Sequence, residues 1–245
     1  MTRIHYNRLT VKRGCREVIT DLTAEMPGPG LYQVVGPNSV GKTTLILATL
    51  GALKPQSGSI HVEPGVDEGG VSYMPQDFNI PMEAPISTYE FVRNYLDLWR
   101  RKHGIKVDLN TRTSEVLEMV GVPRSLWSER LTRLSGGMVR RALLARTLAP
   151  NTPILLLDEP LTGVDPEGKV DIAELLGELS KRKLIVMTNH DPLLVLDYTK
   201  KMLLLGYNHY VYGEPSELMK YEVLSKFYKK CAIEIERHVH VVDWH

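Results

Sequence analysis

Residues 36–44 read Gly36-Pro37-Asn38-Ser39-Val40-Gly41-Lys42-Thr43-Thr44, a complete G-x-x-x-x-G-K-T phosphate-binding loop. Such a loop dictates its surroundings, because it works only between a strand and a helix. Leu31-Tyr32-Gln33-Val34-Val35 before it is short, apolar and β-branched, as a strand requires. Leu45 to Leu50 after it suits a helix. Gly36 and Gly41 let the backbone close around phosphate oxygens where a Cβ would collide. The amides of Gly41 to Thr44 open the helix and face the anion. Lys42 is placed to reach the β- and γ-phosphates, and the Thr43 hydroxyl to sit on Mg²⁺. Ser39 stands where glycine is commoner and is expected to cost little while adding a donor. A nucleoside triphosphate on an α/β core is the first expectation.

A second motif lies downstream. Pro153-Ile154-Leu155-Leu156-Leu157-Asp158-Glu159-Pro160 is an apolar run ending in adjacent carboxylates. The run suits a strand buried on both faces of a parallel sheet. Asp158 at its end can hold Mg²⁺, and Glu159, turned elsewhere, can act as general base on water. Between the two motifs lies Leu134-Ser135-Gly136-Gly137-Met138-Val139-Arg140-Arg141, before the apolar helical stretch Ala142–Leu148. Ser135, Gly136 and Gly137 read either as a second anion site at a helix start or as a plain N-cap.

Phosphate loop, Leu-Ser-Gly-Gly, then four apolar residues and Asp-Glu-Pro: this order resembles the ATP-binding cassette (ABC) ATPases, over residues 3 to about 228. The resemblance implies a P-loop NTPase parallel-sheet core with an N-terminal antiparallel β subdomain and a helical signature subdomain. It implies one domain over 1–245, with 78–150 as the inserted helical part and 229–245 as a tail. Gln76 matches the glutamine loop that contacts Mg²⁺ and senses the γ-phosphate. His190, in Thr188-Asn189-His190-Asp191, matches the switch histidine, which binds the γ-phosphate and orders the attacking water. Leu161 to Asp165 matches the dimer-contact loop. Lys42, Glu159 and His190 are the implied catalytic group; Thr43, Gln76 and Asp158 the implied metal ligands; ATP and Mg²⁺ the implied cofactors. Ser135–Gly137 of a second cassette would close on the nucleotide, in a homodimer or a paired cassette.

Two positions depart from the family pattern. Arg13 stands where an aromatic usually stacks on adenine, Tyr6 lying too early in the chain. An arginine plane can stack on a base in its place. Met138 stands where the signature usually has Gln.

The longest apolar runs, such as Ile154–Leu157 and Met202–Leu205, fall far short of the ~20 residues a membrane helix needs. Permease subunits are therefore expected to be separate integral membrane proteins, with a solute-binding protein as a further partner. Met1–His5 lacks a signal-peptide core, and only Cys15 and Cys231 are present. A cytoplasmic location, peripheral on the membrane's inner face, is expected. The net charge of +1 gives no pull toward nucleic acid. Pro85–Val92, Leu205–His209, Gly213–Leu218 and Leu224–Tyr228 resemble the metal-ion and metal-chelate importer branch. An exporter ATPase and a soluble ABC ATPase of macromolecular assembly are the alternatives.

Local patterning completes the reading. Alternating Ile4, Tyr6, Leu9 and Val11 suggests N-terminal strands. Ser87 and Glu90 form a capping box, and Leu117, Val120, Val122 and Leu126 continue a broken helical pattern. Strands are expected at 154–158, 184–188 and 202–206, with helices at 168–180 and 192–196. Asp77 to Glu83 is expected to border a permease groove. At the C-terminus, His238 and His240, with Asp243 or His245, form either a metal site or a plain terminal strand.

Overall fold

The computed structural model describes residues 1–14, 16–78 and 85–228, together with the backbone of 232–235 and 238–241. The N-terminal alternation makes β1 (Arg3–Arg13), which pairs antiparallel with β2 (Arg16–Pro27). Its period slips once. Leu9 follows Tyr6 by three positions instead of two, and the ladder shifts register there, with Arg8 at φ 48°. This bulge returns Leu9 to the buried face, so Ile4, Tyr6, Leu9 and Val11 all pack inward.

Strand β3 (Gly30–Val35) leaves this layer and leads through the phosphate loop into α1 (Lys42–Thr49). The chain then returns as β4 (Ser57–Glu63), on the free edge of β1, and enters the main sheet as β5 (Val71–Met74). Next come α2 (Thr88–His103), α3 (Leu109–Met119) and α4 (Gly136–Leu148). Strands β6 (Ile154–Asp158) and β7 (Leu184–Asn189) flank α5 (Pro166–Ser180). Strands β8 (Thr199–Gly206) and β9 (His209–Gly213) close the main sheet, followed by α6 (Pro215–Leu218) and α7 (Tyr221–Tyr228).

The main sheet runs β5-β6-β7-β3-β8-β9, parallel except for β9. Its apolar runs are continuous because both faces are covered. Ile154, Leu156, Leu184 and Val186 pack with α1 and the β layer. Leu155, Leu157, Ile185 and Met187 pack with α2, α3 and α4. Alternate residues of one strand thus serve two cores.

The expected capping box is present: Glu90 N–H donates to Ser87 Oγ, and Glu90 accepts from the Ser87 amide. The broken pattern after Leu117 ends the helix at Met119. Gly121 at φ 72° turns the chain, while Val120 and Val122 stay buried. The helix expected at 192–196 is instead a 3-10 turn, Leu193–Tyr198. Its start is fixed locally by Asp191 accepting the Leu193 amide. At the far end β10 (Ala232–Ile235) pairs antiparallel with β11 (His238–Val241). The side chains of His238 and His240, all of Asp243, Trp244 and His245, and groove residues 79–83 lie outside the described residues, as does Cys15.

Register places the function. Val35 lies beside Asn189, Asp158 beside Thr188, and Met74 beside Leu157. The carboxyl ends of β3, β5, β6 and β7 therefore meet along one edge, where open α/β sheets bind ligands.

Candidate nucleotide site

At that edge the phosphate loop and the neighbouring strand ends bound a cavity of about 740 Å³, large enough for a nucleotide-sized ligand. Arg13, Asn38, Ser39, Gly41, Lys42, Thr43, Thr44, Gln76, Glu159 and His190 all line it. Residues from five separate stretches of sequence are thereby brought together.

The loop is built by close approach. A Cβ on Gly36 would stand 2.2 Å from the Leu205 carbonyl oxygen of β8, so the constraint at this position is a neighbouring strand. Gly41 has φ 115°, and its Cβ would press on Val18 at 3.2 Å. Gly41 caps α1 without a side-chain bond, so the first-turn amides face the cavity. Val40 is buried and holds the loop to the core, and Pro37 is half-buried beside it. Ser39 lies at φ 65°. The left-handed region costs a residue with a side chain about 1–2 kcal/mol. This corrects the expectation of little cost and explains why glycine is commoner there. Lys42 is buried, and its ammonium donates to the Gly36 carbonyl at 2.7 Å and the Pro37 carbonyl at 3.1 Å.

Gln76 bridges two motifs. Its Oε1 accepts from Thr43 Oγ1 at 3.5 Å, and its Nε2 donates to Glu159 Oε2 at 3.0 Å. Glu159 has φ 51°, a left-handed backbone that turns it away from the line of β6. Its carboxylate also accepts from Thr162 Oγ1 at 3.3 Å and lies 2.5 Å from His190 Nε2. Burial pushes the Glu159 carboxyl up. The hydrogen bond and charge of His190, then Lys42 and Thr162, outweigh burial and leave it below the usual range.

Asp158 sits beneath the cavity, fully buried. Thr188 Oγ1 donates to Asp158 Oδ1 at 2.5 Å and accepts the Glu159 amide at 2.9 Å. The other oxygen, Oδ2, is buried with no partner among the described residues. Burial raises the Asp158 carboxyl despite the Thr188 hydrogen bond, the nearby Thr43 hydroxyl and the charge of Lys42.

Ser135, Gly136 and Gly137 do not join this cavity. Ser135 Oγ accepts the Met138 amide at 3.3 Å, capping α4, so the plain N-cap reading holds within one chain. Ser135 and Gly136 remain exposed. Gly137 packs against the loop after Glu159, where a Cβ would lie 3.5 Å from the Gly163 carbonyl oxygen.

Several supporting residues escaped the sequence reading. Thr188 pins the Asp158 carboxylate and the Glu159 backbone amide. Gln33, buried in β3, donates to the Pro192 carbonyl at 3.1 Å and to Thr199 at 2.8 Å, and accepts from Asn189 at 3.4 Å. It holds the segment that carries His190. The signal was a polar residue inside an otherwise apolar strand. Arg140 donates to the carbonyls of Gln76 at 2.8 Å and Thr162 at 3.1 Å. Among the described residues no helix is long and apolar enough to cross a membrane.

Comparison with known proteins agrees with this geometry. The ABC transporter family matches residues 19–162. The zinc import ATP-binding protein ZnuC of Pseudomonas syringae is 30% identical over 99% of this chain and 89% of its own length. Its namesake from Cereibacter sphaeroides is 31% identical over 97% and 94%. Among solved structures, an inward-facing metal-chelate type ABC transporter superposes with TM-score 0.82, at 22% identity, over 99% of this chain and 98% of that one. A dimeric post-hydrolysis ATP-binding cassette bound to ADP and Pi superposes with TM-score 0.73, at 22% identity, over 82% and 94%. Matched across more than half its length by the family and along nearly all of it by 30%-identical relatives, the chain belongs to the ABC transporter family, as an ATP-binding subunit that hydrolyses its nucleotide.

Proposed function

We propose that this chain powers the import of a metal ion, zinc foremost, through separate integral membrane permease subunits at the inner face of the membrane. A solute-binding protein would deliver the ion on the other side. The observation that carries the reading is the near-complete alignment with proteins named for zinc import, over 96–99% of the chain for the relatives at 30% identity. The likeness to a metal-chelate type transporter supports the fold alone.

In this reading each chain supplies half of a hydrolytic site. Lys42 turns its ammonium from the Gly36 and Pro37 carbonyls to the β- and γ-phosphates. The first-turn amides of α1 bind the same oxygens. Glu159 takes a proton from the attacking water. The water oxygen bonds to the γ-phosphorus as the bond to the bridging oxygen of ADP breaks, giving ADP, phosphate and a proton. His190 donates to the γ-phosphate and fixes the water's line of attack. Ser135 to Gly137 of a second copy meet the phosphate from the opposite side. Charge-assisted bonds through the γ-phosphate then join the copies, and its loss releases them.

The residues present fit Mg²⁺. The orphaned Asp158 Oδ2, the Thr43 hydroxyl and Gln76 Oε1 form a hard oxygen donor set, and the buried Asp158 charge calls for a cation. Bound there, Mg²⁺ would neutralise charge on the β- and γ-phosphates. The helical segment 78–150 serves here as the signature subdomain that presents Ser135, and residues 229–245 as an appended tail.

Purification of the Glu159→Gln chain with ATP from its native membranes, followed by reconstitution of the wild-type chain with its co-purified permease, tests the reading. ATP-dependent uptake of Zn²⁺ into vesicles, absent with Lys42→Ala, is the expected result. Recovery of soluble proteins only, or ATP-driven movement of Zn²⁺ in the opposite direction, overturns it.

A further inference from the structure

The base-binding end of the cavity is unusual in this chain. The position that usually carries an aromatic holds Arg13. Tyr6 cannot replace it, because it is 1% exposed and its hydroxyl is bonded to Thr49 Oγ1 at 2.9 Å. An aromatic nevertheless reaches this rim from a distant part of the sequence. Tyr207 begins the two-residue turn between β8 and β9, with Gly206 and His209 paired across it and Asn208 at φ 63°. Such a tight hairpin turn fixes where the Tyr207 backbone leaves β8.

The ring is tied to the cavity twice. Its hydroxyl donates to the carbonyl of Asn38, inside the phosphate loop, at 3.4 Å. The guanidinium carbon of Arg16 lies 4.6 Å from the ring centroid, within cation–π range. Arg16 and Asn38 both line the cavity. The turn is braced from behind. His209 Nδ1 lies 2.9 Å from the Tyr207 carbonyl oxygen, and the His209 ring packs on Phe227 at 4.6 Å. Tyr207 itself is 48% exposed, a large apolar surface left open beside a nucleotide-sized cavity.

Resting on the nucleotide reading of this cavity, we infer that Arg16, backed by Tyr207, is the platform on which the nucleotide's base stacks, in place of the absent aromatic at position 13. A planar guanidinium has two faces. In the inferred stack Tyr207 takes one face, its ring centre 4.6 Å from the guanidinium carbon, and a base entering the cavity takes the other, forming a base–Arg16–Tyr207 stack. Such a stack reads the π-face of the base and none of its hydrogen-bonding edges. ATP and GTP should therefore bind within a few-fold of each other.

The test uses the full chain and two probes, ATP and inorganic tripolyphosphate, each titrated with Mg²⁺ by calorimetry. Tyr207→Ala and Arg16→Ala are expected to weaken ATP about 10-fold and to leave tripolyphosphate unchanged, while Tyr207→Phe keeps the ATP affinity. Equal weakening of both probes would mean that Tyr207 only shapes the phosphate loop through Asn38, and overturns the platform. So does unchanged ATP affinity in both alanine variants, or a larger loss in Arg13→Ala than in Tyr207→Ala. Wild-type protein that binds neither probe overturns the nucleotide reading itself, and the platform with it.

Discussion

Glu159 Oε1 lies 2.5 Å from His190 Nε2, although the two residues come from the ends of different strands. The imidazole N–H therefore donates to the carboxylate proposed as the base. Gln76 and Thr162 donate to the same carboxylate. Each donor stabilises the charged form and so weakens it as a proton acceptor. A nucleotide that draws His190 and Gln76 toward its γ-phosphate would strip donors from Glu159 and raise its basicity where water attacks.

Glu159→Gln should lower the rate of phosphate release at least about 100-fold, within the range for a lost general base, and leave ATP binding intact. Rapid-quench phosphate release and equilibrium ATP binding measure the two separately. Because Glu159 is held below the usual carboxylate range, it stays ionised through mildly acidic pH. In the protein without nucleotide, Glu159 should therefore take up no proton between pH 8 and pH 5.5; a carboxyl protonation inside that interval, seen by infrared titration of the wild type and missing from Glu159→Gln, would contradict this reading.

Thr188 is a positioning residue, touching Asp158 with its hydroxyl proton and the Glu159 amide with its lone pair. Thr188→Val keeps the shape and removes both bonds. A buried carboxylate oxygen and a buried amide then lose their partner, at a cost of about 1–3 kcal/mol. Displaced carboxylates should also lower kcat about 10- to 100-fold. Thr188→Ser should keep most of kcat, whereas a purely steric role would leave Thr188→Val at the wild-type kcat and make Thr188→Ser the weaker variant. Thermal unfolding and steady-state hydrolysis across the three proteins decide this.

Much of this site was legible in sequence because it is local. A phosphate loop, a carboxylate pair and a capping box are each read within a few residues, and the parallel order follows from apolar runs alternating with helices. What was not legible depends on chain returning from far away. The need for Gly36 comes from the Leu205 carbonyl of β8, almost 170 residues later in the numbering. Tyr207 at the cavity rim depends on the β8–β9 turn landing beside the phosphate loop. The strain at Ser39 is a backbone angle, which residue type hints at only through the commoner glycine. The slip at Arg8 was concealed in an alternation that looks regular until the three-residue gap is paired against β2.

Lys183 sets a pH dependence on the other side of the molecule. Its ammonium donates to the Thr152 carbonyl at 2.6 Å, yet burial first, then the charges of Arg112 and Arg182, push it down to about 8. The folded state then binds fewer protons than the unfolded chain between about pH 8 and the ordinary lysine value of 10.5. Stability due to this group therefore rises with pH across that window. The tyrosines act oppositely. Tyr6, Tyr32 and Tyr73 are pushed up to about 12 by burial, so stability falls once unfolded tyrosines ionise above pH 10. Melting temperatures at pH 7.5 and 9.5 should show an upward slope in the wild type that flattens in Lys183→Gln. An identical slope in both would remove the assignment.

Arg140 links the signature helix to the sensing loop. It leaves α4 just after Ser135–Gly137, and its guanidinium donates to the carbonyls of Gln76 at 2.8 Å, Pro75 at 3.3 Å and Thr162 at 3.1 Å. Gln76 reaches Glu159, and Thr162 follows it in the chain. A shift of α4 would thus be passed by one fork-shaped group to both loops that hold Glu159. A lysine presents a single point charge and cannot span three carbonyls in fixed geometry. Arg140→Lys and Arg140→Ala should both lower kcat, by about 10-fold on the scale of a displaced catalytic group, with KM for ATP changed little because the phosphate loop is untouched. Both should also weaken the ATP-dependent pairing of Glu159→Gln chains seen by size-exclusion chromatography. If the two variants raise KM and leave kcat and pairing as in the parent, Arg140 merely braces the local fold and the link from signature helix to base is wrong.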